Sequence, residues 1–169
     1  MTYTLIHMGR LGALMALCAL ALLGQQEQEH NKLGLPNPDK QDVPYLVHGS
    51  RILELEQAEA VEDESKNQLR YWIPGSGAEV RTPLAAPEFL FDSSLIDPRD
   101  LRLYRFEVVK GQREVLYRKK KKVVAEPYFL QLDGVEGRVV RIRVSASLPP
   151  GEYGLTPIRS NAVFSFAVF

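Results

Sequence analysis

Apolar and polar residues alternate with a period of two along much of this chain. In Arg138–Ala146, Val140, Ile142, Val144 and Ala146 fall on one face and Val139, Arg141, Arg143 and Ser145 on the other. This pattern predicts a strand buried on one side. Leu101–Val109 repeats it, with Tyr104, Phe106 and Val108 sharing a face. Lys110-Gly111-Gln112 then predicts a turn back into Glu114–Tyr117, a hairpin by loop length and glycine content. In Ala162–Phe169, Phe164, Phe166 and Val168 oppose Ser165 and Ala167. Further strands are predicted at 51–57, 68–73, 78–82, 88–91, 123–132 and 152–156.

Proline and glycine punctuate the chain from Pro44 to Pro157, and few of the gaps between them are long enough for a helix. Residues 52–66 are the exception, because Glu, Gln, Ala and Leu there are helix formers. Their apolar positions make no helical stripe, and Leu53 and Leu55 alternate. The segment reads as a long strand turning near 63–67 into 68–73, with a short helix as the alternative. Many short strands without βα alternation predict an antiparallel sandwich or barrel.

The two ends of the pattern differ from its middle. Leu11 to Leu23 is an uncharged, mostly apolar run that follows Arg10 and precedes Gly24-Gln25-Gln26. That is the anatomy of a secretory signal peptide over residues 1–24, with cleavage after Ala21 or Gly24. It is shorter than the roughly 20 residues a permanent span needs, so no transmembrane segment is expected after cleavage. Cys18 offers a lipoprotein alternative, but Leu17 fits poorly just before a lipidated cysteine. Residues 25–42 are polar, hold Pro36 and Pro38, and read as a flexible lead-in. Residues 43–169 then form a single domain in a periplasmic or extracellular setting.

Charge and composition exclude more than they indicate. The 21 basic and 21 acidic residues balance, and cleavage removes only Arg10, which gives no attraction to nucleic acid. The single cysteine, Cys18, lies in the leader, so the exported domain relies on its core rather than on disulfides. After cleavage His30 and His48 are the remaining histidines. They make no zinc or copper ligand set, and His48 with Ser50 is not a catalytic triad. Pro74-Gly75-Ser76-Gly77 reads as a turn, since it lacks the rest of a phosphate loop or nucleophile elbow. The Asp92–Asp100 loop carries hard oxygens suited to calcium, but its spacing is not that of an EF-hand and Asp97-Pro98-Arg99-Asp100 is a good turn. No cofactor, metal or catalytic residue is therefore assigned, and the chain reads as non-enzymatic.

The strongest charge feature is Arg118, Lys119, Lys120, Lys121 and Lys122. Such a run serves as a solvated edge guard or as a contact for an anionic partner. These five are the candidate partner-binding residues, for an envelope protein or an anionic envelope polymer. Glu54 to Glu64 carries six carboxylates and reads as ordinary surface.

Leu148-Pro149-Pro150-Gly151-Glu152-Tyr153-Gly154-Leu155, followed by Ala162–Phe169, resembles the last hairpin of exported immunoglobulin-like sandwiches. Pro44-Tyr45, Leu55-Glu56 and Gly151-Glu152-Tyr153 extend the resemblance to small uncharacterised bacterial secreted proteins. The resemblance implies an all-β, antiparallel immunoglobulin-like β-sandwich of about 7–9 strands in which Tyr153 packs inward. It implies no activity. The first functional expectation is an exported interaction module of the bacterial envelope, using 118–122 and the loops around 74–77 and 148–151. The alternative is a carrier or sensor of a small apolar or glycan ligand, with Tyr45, Trp72, Phe89, Phe91, Tyr128 and Phe129 as possible contacts.

Overall fold

The structure, a computed structural model, describes residues 30–118 and 125–169. Thirteen strands follow one another among the described residues: β1 (Pro44–His48), β2 (Arg51–Glu54), β3 (Glu56–Glu59), β4 (Val61–Glu64), β5 (Gln68–Pro74), β6 (Arg81–Thr82), β7 (Glu88–Asp92), β8 (Leu101–Val109), β9 (Gln112–Arg118), β10 (Leu130–Glu136), β11 (Val139–Val144), β12 (Gly151–Pro157) and β13 (Ala162–Val168). The fold is all-β and, apart from the short parallel β6–β13 pair, antiparallel. The strand number exceeds the 7–9 expected. One reason is that 52–66 is cut into short strands that serve two different sheets. Its helix formers are held extended because β3 pairs with β13 and β4 with β5; tertiary pairing overrides local propensity here. The β8–β9 turn is as expected, with Lys110 (φ 51°) and Gly111 (φ 79°) both left-handed, the geometry of a tight type I′ hairpin.

The first layer is a five-stranded sheet in the order β10-β11-β7-β1-β2. Leu46 lies opposite Phe89 and Leu53, and Ile142 opposite Phe89 and Leu132, which puts one apolar face towards the second layer. The outer face carries Arg141 and Arg143 around Asp133, at 3.5 and 2.8 Å. The described part of the lead-in, residues 30–42, makes contacts with the domain. The Asn31 side-chain oxygen accepts from the Leu33 amide at 2.9 Å. The Tyr45 hydroxyl donates to Asp39. Asp42, at φ 61°, receives the amides of Ser94, Leu95 and Ile96 on its carboxylate at 2.8–3.0 Å.

The second sheet runs β3-β13-β12-β8-β9-β5-β4, with β6 added alongside β13. The two ends of that path, β3 and β4, are consecutive pieces of chain separated only by Ala60. The strip 56–64 therefore borders β13 with its first half and β5 with its second, and the Ala60 amide bonds the Asn161 carbonyl at 2.7 Å. The sheet thus closes on itself into a barrel of six staves, joined through the strip. This second layer is a ring, where an open sheet was expected.

Three staves, β8, β12 and β13, are walls shared by two interiors. On one face Leu101, Leu103, Tyr153, Leu155, Phe164 and Phe166 join the sandwich core with Leu46, Phe89 and Ile142. Phe89 meets Phe166 edge-on at 5.1 Å, and Tyr153 stacks on Phe166 at 5.6 Å. Burial of each such side chain contributes about 1.5–3 kcal/mol. Tyr153 packs inward, as the C-terminal motif implied, and its hydroxyl donates to the Pro149 carbonyl at 2.6 Å. Burial first, then the neighbouring Tyr128, pushes that hydroxyl up to about 12. The opposite faces of the same three strands look into the barrel.

One end of the barrel is plugged by Arg113, whose side chain is 1 % exposed. Its guanidinium donates to both oxygens of Glu56 at 3.0 and 3.2 Å, to Ser165 Oγ at 3.0 Å, and to the carbonyls of Pro74 and Gly75 at 3.1 and 3.2 Å. Ser165 donates in turn to Glu56 at 3.0 Å, and Glu152 stands 4.0 Å away. A buried charge is tolerable only when matched and hydrogen-bonded in this way. Burial opposes ionisation of Glu56, but the bonds from Arg113 and Ser165 outweigh it and leave its pKa below the ordinary 4.5. The clamp's electrostatic contribution is therefore complete above that value and lost as pH falls through the lower folded one. We expect Glu56→Gln to cost about 3 kcal/mol at pH 7, because it strands the Arg113 charge, and to flatten stability against pH below 4.5. Urea unfolding across a pH series measures both effects.

Candidate functional site

Above the plug the barrel is hollow. Because side chains alternate along a strand, every stave sends each second residue into the lumen. Paired positions share a face, so Glu62 accompanies Tyr71, Gly154 accompanies Tyr104, and Thr156 accompanies Arg102. The resulting cavity has a volume of about 460 Å³ and takes wall residues from all six staves. A depression of 660 Å³ between Ile52–Glu54 and Glu79–Arg81 is larger, but it lies between a sheet edge and a loop.

The lumen is layered. Next to the plug, Ile73, Val115, Phe106 and Val163 give an apolar floor. Gly154 makes that floor possible: a Cβ there would stand 2.6 Å from the Phe106 ring and 2.9 Å from Val163 Cγ1. A glycine inside a strand where another group approaches this closely has a packing reason. Tyr71 and Tyr104 belong to the walls above the floor, and Glu62, Arg102, Thr156 and Asn161 to the polar upper part. Burial raises the Tyr71 pKa, and its hydrogen bond to Glu62 raises it further. Arg102 is steadied through Nη1 by the carbonyls of Arg99 and Leu101 at 2.7 and 2.8 Å. The loop from Pro157 to Asn161 borders the mouth and is pinned by bonds from the Ile158 amide to Asp100 at 3.0 Å and from Ala60 to Asn161. An apolar floor, aromatic walls and a few placed polar groups are the usual lining of a small-molecule pocket.

Of the residues singled out from sequence, Trp72 reaches the lumen and the others lie elsewhere. Arg118 ends β9, and Lys119 to Lys122 lie outside the described residues. Phe89 and Phe91 are in the sandwich core. Tyr45, cross-strand from Leu90, is buried in the same cluster, and burial first, then Asp39, raises its pKa. Trp72, opposite Val61 and Glu114 and with the Arg70 guanidinium 6.0 Å from its ring centroid, is among the residues that line the lumen. Tyr128 packs edge-on against Tyr153 at 5.9 Å, and Phe129 is 84 % exposed. The 74–77 turn supplies acceptors to Arg113. In the Asp92–Asp100 loop the carboxylates have protein partners: Asp92 pairs with Arg138 at 3.2 Å, and Asp97 pairs with Arg99 and caps the turn at Pro98–Asp100. Among the described residues no group of three or more His, Cys, Asp or Glu converges as a metal site.

Tyr71, Tyr104, Phe106 and Gly154 were missed as a site. The signal available was the Tyr104-Phe106-Val108 face taken together with an unexplained glycine in the last hairpin. No protein-family model, curated protein or solved structure matches this chain.

The floor yields a direct test. Gly154→Ala forces the Phe106 ring aside, and we expect a loss of about 1–3 kcal/mol. Shortening the ring by Phe106→Leu in the same chain should restore part of that loss. Equilibrium denaturation of the two single variants and the double variant reads the coupling.

Proposed function

We propose that this chain is an exported, non-enzymatic binding protein, a carrier or sensor whose barrel lumen holds a compact, mainly apolar molecule. The observation that carries the reading is the position of the spare volume. The sandwich core is filled, with Leu46, Phe89, Phe91 and Phe166 fully buried, whereas about 460 Å³ stands open above the plugged end of the barrel. The plug makes the site blind-ended, which suits a short ligand rather than a long acyl chain. The leader sequence supports export, and the hairpin β12–β13 supports kinship with exported immunoglobulin-like sandwiches. A second, compatible reading is that Arg118–Lys122 meets an anionic envelope component; it is supported by the run of five like charges in the sequence.

The neutral fluorophore 6-propionyl-2-dimethylaminonaphthalene tests the lumen. We expect one saturable site, a blue-shifted emission, and a Kd in the range of about 1–100 µM. Ala60 lines the lumen, so Ala60→Trp should fill it and abolish the signal while circular dichroism stays unchanged. Non-saturable binding, or binding that Ala60→Trp leaves intact, overturns the reading.

A further inference from the structure

The mouth of the lumen carries charges of both signs: Glu62 and Arg102 on its walls, whose positions follow from the strand order, and Arg159 on the bordering loop. Counted round the ring, the staves are the strip 56–64, β13, β12, β8, β9 and β5. Glu62 stands on the strip and Arg102 on β8, three staves apart in either direction. They are therefore diametrically opposed. Strands facing each other across such a ring are on the order of 10 Å apart, a gap that one small molecule can bridge with help from both side chains. Below this level lie the rings of Tyr71, on the Glu62 side through their cross-strand pairing, and of Tyr104 and Phe106, on the Arg102 side.

A ligand that fills the lumen covers both charges at once. If it carried only a cation it would leave Arg102 desolvated and unmatched, and if it carried only an anion it would do the same to Glu62. A buried charge without a partner is costly. A head with both signs answers both walls, and opposite charges also reject the singly charged analogue. The rings beneath call for a flat apolar body that stacks on aromatic faces.

We propose that the lumen recognises a ring-bearing zwitterion of the aromatic α-amino acid class, its ammonium towards Glu62, its carboxylate towards Arg102 and its ring on Phe106 between Tyr71 and Tyr104. This rests on the lumen reading above and adds the chemistry of the ligand. A single-ring or fused two-ring side chain is within the size that a site of about 460 Å³ accepts. No covalent step is involved. Arg102 is suited to the role because two carbonyls fix its guanidinium in place before any ligand arrives, so little freedom is lost on binding.

The experiment is displacement of the naphthalene fluorophore from the full chain by four competitors: L-phenylalanine, L-tryptophan, 2-phenylethylamine and 3-phenylpropionate. We expect both amino acids to displace it, and each half-headed analogue to bind at least about tenfold more weakly than phenylalanine. Glu62→Gln should weaken phenylalanine about tenfold and tighten 3-phenylpropionate, because the carboxylate that analogue leaves unmatched is gone. Arg102→Gln should weaken phenylalanine and, for the same reason, tighten 2-phenylethylamine. Analogues that match phenylalanine, or amino acids that fail to displace a bound fluorophore, refute the zwitterion while the lumen reading stands. A wild-type chain that binds neither fluorophore nor amino acid removes both.

Discussion

A guanidinium that is 1 % exposed sets the terms for the rest of this fold. Taking such a charge out of water costs several kcal/mol before any partner is found. The chain meets that cost with acceptors drawn from three distant places: Glu56 on β3, Ser165 on β13, and the carbonyls of the 74–75 turn. Gly75 adopts a left-handed backbone at φ 86° in that turn. Because Arg113 itself belongs to β9, its side chain spans the ring from one wall to the opposite one. Closure of the barrel and solvation of Arg113 are one event, since neither is favourable without the other.

The clamp also determines where empty space can exist. It fills one end of the barrel with polar groups that already have partners, so a ligand has nothing to gain from them. The next layer is apolar and the layer after that aromatic, which leaves a hollow with a single polar mouth. The other interior, between the two layers, is packed by rings and branched chains. Strands β8, β12 and β13 separate the two, and each must satisfy both. The burial is highest in β13, where six of seven residues are buried, and in β8 it is confined to Leu101 and Leu103. A wall held rigid from behind by a full core is a good support for a preorganised site.

Much of this was legible in the chain and some was not, for identifiable reasons. Alternation in 138–146 correctly separated the two faces of β11, whereas in 101–109 it found the strand but not its buried face: Leu101 and Leu103 are the buried residues, opposite Tyr104, Phe106 and Val108. In Ala162–Phe169 the same reasoning split the residues correctly but assumed that only one side would be buried. The near-continuous apolar run was the hint that both sides would be. The strip 52–66 stayed ambiguous because its Glu, Gln and Ala residues carry no strand preference. It is extended only because β13 and β5, with partners 103–109 and 5–11 positions further on, flank it. The site was hidden for a related reason. Glu56 and Arg113 are 57 positions apart, and Arg113 and Ser165 are 52 apart. A local reading assigns each of them to the surface. Only ring closure turns Tyr71, Tyr104 and Phe106 from presumed core into the lining of a hollow.

Site-resolved amide hydrogen exchange on Arg113→Met beside the unaltered chain bears most directly on the claim that the clamp holds the ring shut. Local opening shows up in exchange as a loss of protection confined to the segment that opens. The account predicts that amides of β3, β4 and the facing edge of β13 lose protection by at least about tenfold, while β1, β7 and β11 in the other layer keep theirs. Equal loss in both layers, or no change along the strip, would contradict it.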